Sequence, residues 1–405
     1  MKKKFKKIVV ALAAILMLTS SLSMESTINV KASDDHYFFN CKNTAYKVYV
    51  KTLNATQVKA DCTSVVVRKN GSIQSRTLID FGDESNSTAT LANLKNTSLY
   101  DKTKKTYTIN HMVLTHAHID HVKGLEDLYN EMRKNKNIKV NIGTLYLNYV
   151  YLINNDKTHN HYDLLAVLKK LASLTGRFSI EKICVFTRYN YDISNFNVKE
   201  KLSGLAKLAK NAKGKASAWT CINTIKKFDL GGGVYMTILP AITKFNNGQP
   251  DDDVNNSTLM VVIKDQTKGT NKTGNFKIDI TSDLKVNTKA GKKEGVEKLL
   301  EKDSKGNYVY KNYLNELAKK GFEELIFKMP HHGVFGYTAY QKSTFKNLFT
   351  VLEPTVVVGT GWTVDGRQNS YKNCRSFINT LNNGGDYQGP FIEIQKTFNN
   401  ISYVY

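Results

Sequence analysis

Short apolar runs alternate with polar, turn-forming stretches along this chain, and the period of the apolar positions changes as it proceeds. Ala45 to Leu53 and Thr63 to Arg68 alternate as strands do. Asn70-Gly71 is a hairpin turn pair, and Arg76 to Asp80 returns from it, so the pattern predicts a β-meander first. Met112 to Thr115 reads as another short strand, while Gly124 to Lys134 has helical spacing. Over about 145–215 the period predicts helices at Tyr162 to Leu174 and Val198 to Ala212 around a short strand at Ile183 to Thr187, an inserted helical layer. Strands return at Val234 to Leu239, Thr258 to Lys264 and Phe276 to Thr281. A helix at Tyr308 to Lys320, a strand at Glu324 to Met329, a helix near Ala339 to Phe349 and a strand at Thr355 to Gly359 follow. A helix near Ser370 to Asn382 and strands at Phe391 to Gln395 and Ile401 to Tyr405 close the chain. Strands then helices, twice over, predict an α/β fold of two sheets with helices outside.

The first residues change the expected address. Lys2, Lys3, Lys4, Lys6 and Lys7 precede the apolar run Ile8 to Leu18, and Val30-Lys31-Ala32 offers small residues at a cut site, the pattern of a secretory signal peptide over 1–32. The apolar run is too short to span a bilayer comfortably, and nothing after it predicts a transmembrane segment. Residues 33–405 are then expected to form one domain. Loss of six Lys and one Glu takes the net charge from +23 to +18. Such a basic surface suits an anionic partner, nucleic acid or a cell-wall phosphate polymer, and equally suits solubility alone. Abundant Lys, Asn and Tyr behind a Lys-rich leader point to a Gram-positive bacterium, with the protein secreted and retention on the wall as the alternative to free diffusion. The five cysteines match no CxxC metal knuckle; export permits disulfides, and Cys41 with Cys62 would staple the N-terminal segment.

Chemistry concentrates in Thr115-His116-Ala117-His118-Ile119-Asp120-His121, where three of only nine histidines fall directly after an apolar run. Side chains two apart along an extended segment share a face, so His116 and His118 can converge on one ion. The turn that follows swings Asp120 and His121 towards a second. Three more segments follow predicted strands and carry candidate groups: Leu78-Ile79-Asp80-Phe81-Gly82-Asp83, Ile280-Thr281-Ser282-Asp283 and Met329-Pro330-His331-His332-Gly333.

In order and spacing these four segments resemble the metallo-β-lactamase superfamily over nearly the whole chain after the leader. Tyr46 through Asp80, Asn255-Asn256-Ser257-Thr258-Leu259 and the Pro-His-His-Gly loop look most like the soluble hydrolase domain of the DNA-uptake channel protein ComEC, here free-standing and without the channel. The resemblance implies a four-layer αβ/βα sandwich. It implies His116 and His118 on a first metal, Asp120, His121 and His332 on a second, and Asp283 bridging the two. Asp80 would support the metal loop by hydrogen bonding, and His331 would contact substrate or donate a proton. The ions implied are zinc at up to two sites, with manganese as the alternative. The reaction implied is hydrolysis by a hydroxide held on the metal, with Asp120 and His331 as the catalytic side chains. With the basic charge, phosphate esters are the favoured substrates, making the protein a phosphodiesterase or nuclease. A phosphocholine esterase, lactonase or β-lactamase, and a wall- or DNA-binding protein with a vestigial metal site, remain the alternatives. The sequence departs from the family where a third first-site histidine is expected, reading Asn255-Asn256-Ser257; His159 and His161 are the remaining histidines considered for that place, and a solvent-facing loop is the simpler reading of both. A Gly-rich turn is likewise replaced by Thr52-Leu53-Asn54-Ala55-Thr56-Gln57.

Overall fold

The structure is a computed structural model that describes residues 37–53, 61–82, 89–148, 163–190, 218–242, 245–246, 249–250, 257–266, 275–286, 294–333, 338–359, 376–381, 391–394 and 401–404. The leader, the helix expected at Val198 to Ala212, His159, His161, Asn255, Asn256 and Cys374 lie outside them.

Two large sheets carry the chain. The first comprises β1 (Tyr37–Asn40), β2 (Tyr46–Thr52), β3 (Thr63–Lys69), β4 (Ser72–Ile79), β5 (Tyr100–Asp101), β6 (Thr106–Leu114), β7 (Lys139–Asn148), β8 (Phe178–Phe186) and β9 (Ala218–Ile222). Its order is β1-β2-β3-β4-β6-β7-β8-β9, with β5 paired to β6. The second begins with β10 (Lys226–Gly231) and β11 (Val234–Leu239); a two-residue hairpin, β12 (Phe245–Asn246) with β13 (Gln249–Pro250), stands apart. It continues through β14 (Met260–Asp265), β15 (Phe276–Ile280), β16 (Glu324–Lys328), β17 (Val356–Gly359), β18 (Phe391–Ile394) and β19 (Ile401–Val404), in the order β10-β11-β14-β15-β16-β17-β18-β19.

Both sheets start as antiparallel meanders and then turn parallel. In the first the change falls between β4 and β6, in the second between β15 and β16. Parallel neighbours need a crossover, and helices supply it: α1 (Ala89–Leu94) between β4 and β6, α2 (Ile119–Val122) with α3 (Gly124–Lys134) between β6 and β7, and α4 (Leu164–Ala172) between β7 and β8. On the second sheet α5 (Gly295–Leu299) and α6 (Lys311–Leu317) precede β16, and α7 (Ala339–Leu352) precedes β17. Residues 376–381, within the helix expected near Ser370 to Asn382, are helical.

Strand alternation sorts these pieces into layers. Val65 and Val67 face a core shared by both sheets, with Val113, Val261, Ile263, Ile278 and Ile326, whereas Val66, Leu78, Met112 and Leu114 face α3 and α4 on the other side. On the second sheet Met260, Val262, Leu325 and Phe327 face Leu314, Leu317, Phe345 and Phe349 of α6 and α7. Helix, sheet, sheet and helix are therefore stacked around three apolar cores, the four-layer αβ/βα arrangement expected from the sequence. Burying one such Val or Leu contributes roughly 1.5–3 kcal/mol, and a one-residue slip would turn every one of them to the wrong core.

Two sequence expectations change. In the segment around Tyr162 to Leu174, α4 is the crossover helix between the paired parallel strands β7 and β8, and β7 runs to Asn148, into the stretch from about 145 expected to be helical. Cys41 and Cys62 are both free thiols. Cys41 belongs to the core between the sheets and Cys62 to the core under the helices, so the first sheet stands between their side chains.

Candidate metal centre

The candidate residues gather at the carboxyl ends of the strands that flank the two changes from antiparallel to parallel, where side-by-side strand ends leave a crevice. Asp80 follows β4, the His116 to His121 segment follows β6, Asp283 follows β15 and His332 follows β16. Of the eight non-glycine residues with positive φ among the described residues, Asp80, Ser282, His331 and His332 are four. Strain at this edge is held by neighbours: Asp80 N donates to Val113 O at 2.8 Å, and His331 N to Ser282 O at 3.0 Å.

Thr115 ties the two sheets together. Its N and Oγ1 both donate to the Asp80 carboxylate at 2.7 Å, its Oγ1 lies 2.7 Å from Ser282 Oγ, and its carbonyl accepts from Leu259 N at 3.1 Å. The next residue, His116, is fully buried, with Nδ1 3.1 Å from Thr115 Oγ1 and 3.3 Å from Ser282 Oγ, so its Nε2 is turned towards Asp283 Oδ2, 3.8 Å away. His118 packs beside it, ring centroids 4.8 Å apart. The turn of α2 then presents Asp120 and His121. His121 Nδ1 meets Asp80 Oδ2 at 2.8 Å and its Nε2 faces Asp283 Oδ1 at 3.2 Å.

Two sets of donor atoms result, each within 4.8 Å of one another: His116, His118 and Asp283; and Asp61, His121, Asp283 and His332. Asp283 is common to both. Asp120 stands outside these sets, with Oδ2 3.2 Å from His332 Nε2. His331 is half-buried at the rim beside His332. Asp61 is the residue sequence reasoning missed. It precedes β3, and the antiparallel pairing of Thr63 with Ile79 brings that strand's beginning to the edge where β4 ends. A bulge between Val67 and Arg68 shifts the register set by the Asn70-Gly71 turn by one residue, so the turn alone does not give Asp61's exact place beside Asp80. Its N donates to Asp120 O at 2.9 Å, and its carbonyl accepts from Gly82 N at 3.2 Å.

Charge in this pocket is tightly balanced. Burial and the neighbouring His121 and His118 push His116 well below the ordinary histidine range, leaving a neutral ring able to offer a lone pair. Burial opposes charge on His121 and His332 too, but Asp283 with Asp80, and Asp283 with Asp61, hold them well above it. Burial likewise opposes ionisation of Asp283, Asp61 and Asp120, yet the facing histidines, and Lys328 at Asp61, keep all three low. Asp80 goes the other way, raised by burial over the pull of His121 and Thr115. His121 Nε2 and Asp283 Oδ1 are buried and make no hydrogen bond, although they face one another. A buried set of nitrogen and oxygen donors with such atoms left over fits divalent ions such as Zn²⁺ or Mn²⁺.

Fold and site together define an α/β protein of two helix-backed sheets with a candidate two-ion centre at their shared edge. Residues 60–138 match the family described as the metallo-beta-lactamase superfamily, a stretch that holds Asp61, Asp80 and the whole His116 to His121 segment. No curated protein matches the chain. Among solved structures it is similar to the metallo-beta-lactamase fold protein YhfI from Bacillus subtilis, at 10% identity and a TM-score of 0.41, covering 86% of this chain and 97% of that one. It is also similar to Tm1679, described as a metal-dependent hydrolase of the beta-lactamase superfamily, at 11% identity and a TM-score of 0.38, covering 88% and 98%. Zn(2+)-bound PqqB from Methylobacterium extorquens is similar at 12% identity and a TM-score of 0.29, covering 65% and 58%. At these TM-scores the likenesses carry no weight alone, and the architecture stands on its strand order and its three cores.

Proposed function

We propose that this protein is a metal-dependent hydrolase of the metallo-β-lactamase superfamily, of the ComEC-like kind, acting outside the cell on phosphate esters as a phosphodiesterase or nuclease. The observation that carries the reading is the cluster of buried His116, Asp120, His121, Asp283 and His332 with half-buried His118 at the carboxyl ends of the strands. The family match over 60–138 supports the hydrolase class, and the net charge of +18 left after loss of the leader supports an anionic substrate by electrostatic steering. The Lys-rich leader supports export, and no helix of the described residues is long and apolar enough to cross a membrane.

In this reading His116, His118 and Asp283 hold one ion, and Asp120, His121, His332 and the shared Asp283 hold the other. Bound there, the ions supply a water acidified towards neutral pH and a positive field for the charge that develops on the leaving oxygen. The protein's own groups do the rest. Asp80 holds His121 through Nδ1 so that Nε2 stays turned into the pocket. Asp120 orients the attacking water by accepting its proton. His331, at the rim, donates a proton to the departing oxygen.

The test is metal content of the purified protein, with cleavage of bis-p-nitrophenyl phosphate and single-stranded DNA under added Zn²⁺ or Mn²⁺. Two ions per chain and turnover lost by at least 100-fold in Asp120→Ala are expected. Bound metal without phosphodiester cleavage redirects the search to other esters or lactams, and no metal with no turnover supports the binding protein.

A further inference from the structure

A histidine that binds metal through one ring nitrogen needs the other held, or the ring turns away. For His121 the holder is Asp80. His332 meets Asp120 Oδ2 at 3.2 Å and Asp283 Oδ2 at 3.5 Å through Nε2, which makes Nε2 its inward nitrogen. Its Nδ1 faces Asp61 Oδ1 at 3.5 Å. The other oxygen of Asp61 lies 2.6 Å from Lys328 Nζ, and the side chains of Asp61 and Lys328 are each only 7% exposed.

We propose that Asp61, fixed by the buried ammonium of Lys328, is a positioning residue that aims His332 at the second ion, and that it is not itself a ligand. The inference rests on the hydrolase reading above. Lys328 ends β16 and begins the segment that reaches His332 four residues later. Asp61 therefore makes ion contacts with both ends of one short turn, whose His331 and His332 have left-handed φ of 49° and 57°. Such a turn persists only when its surroundings over-determine it. A fixed cation against Asp61 also repels a divalent ion from the same carboxylate, which argues against direct ligation although His121 Nε2 is 3.9 Å from Oδ2. The pair is costly to split: removing either partner leaves an uncompensated buried charge.

Co²⁺ titration of the whole chain, followed by visible absorption and by metal analysis, tests the assignment. Wild type is expected to take two ions. Asp61→Ala weakens uptake of one of them by about 10–100-fold and alters its absorption band. Asp61→Asn keeps an acceptor for the Nδ1 proton and recovers most of that loss. Lys328→Met weakens the same ion, and the double variant Asp61→Asn with Lys328→Met is no worse than Lys328→Met alone. Melting of the metal-free proteins checks folding; should Asp61→Ala not fold, the Asn and Met variants decide. Wild-type affinity in both of those overturns the proposal, as does Asp61→Asn losing the ion as completely as Asp61→Ala, which would make Asp61 a ligand. Two ions in wild type with either result leave the hydrolase reading standing; no ions in wild type overturn both.

Discussion

Gly82 is where one hydrogen atom decides the geometry of the pocket. A Cβ built there would sit 1.6 Å from Asp120 O and 2.5 Å from His121 N, backbone atoms that cannot swing aside. Gly82→Ala is therefore expected to push the metal loop off the sheet, with a stability loss of about 1–3 kcal/mol or more, as for overpacked sites, and loss of at least one ion per chain. Thermal melting and metal analysis of the variant check it, and a variant that melts and loads like wild type would refute the close approach. What could be read at single positions follows the same logic of distance along the chain. His116, His118, Asp120 and His121 sit within six residues, so their convergence needs only a strand end and one helical turn. Asp61 and Lys328 are far from that segment, and their contact depends on which strands lie side by side.

Strand β15 shows how a single element can carry conflicting demands. Ile278 and Ile280 face the core between the sheets, while Lys277 and Asp279 are buried on the face under α6. Lys277 Nζ donates to Ala318 O at 2.5 Å, and neither carboxylate oxygen of Asp279 has a hydrogen-bond partner. Burial pulls Lys277 from 10.5 down to about 8 against the attraction of Asp279. Folding thus disfavours the charged lysine. That penalty is present in full below about pH 8 and fades as pH rises towards 10.5, so wild type is expected to gain stability relative to Lys277→Met across that window. Melting of both proteins between pH 7 and 10.5 checks the sign; a constant difference would refute it. The sequence pattern placed β15 and β16 at their strand positions, because alternation and bulky β-formers are local signals. It misassigned α4 to an insertion, since the same helical period serves a crossover and an added layer alike, and only the pairing of β7 with β8 separates them.

Across the molecule, the pocket draws on both sheets, so ions held there would clamp one to the other. A ligand that binds only the folded chain stabilises it by roughly 4 kcal/mol at a thousand times its dissociation constant. Chelation is expected to lower the melting temperature by several degrees. It should also speed amide exchange together at the ends of β6, β15 and β16, which calorimetry and hydrogen exchange read directly. Exchange confined to one sheet would contradict a shared site. The sequence by itself indicated β2 to β4, β6, β8, β11 and β14 to β19, most helices, the two-sheet plan and the ligand-rich segment, because periodicity and short motifs act over a few residues; it missed β1, β5, β7, β9 and β10. Tertiary structure decided that four strand ends share one edge, that Asp61 joins them from an antiparallel neighbour, and that Cys41 and Cys62 are kept apart by a sheet. Those outcomes depend on strand order and on which face of a sheet each side chain takes, and both are fixed only when the layers pack.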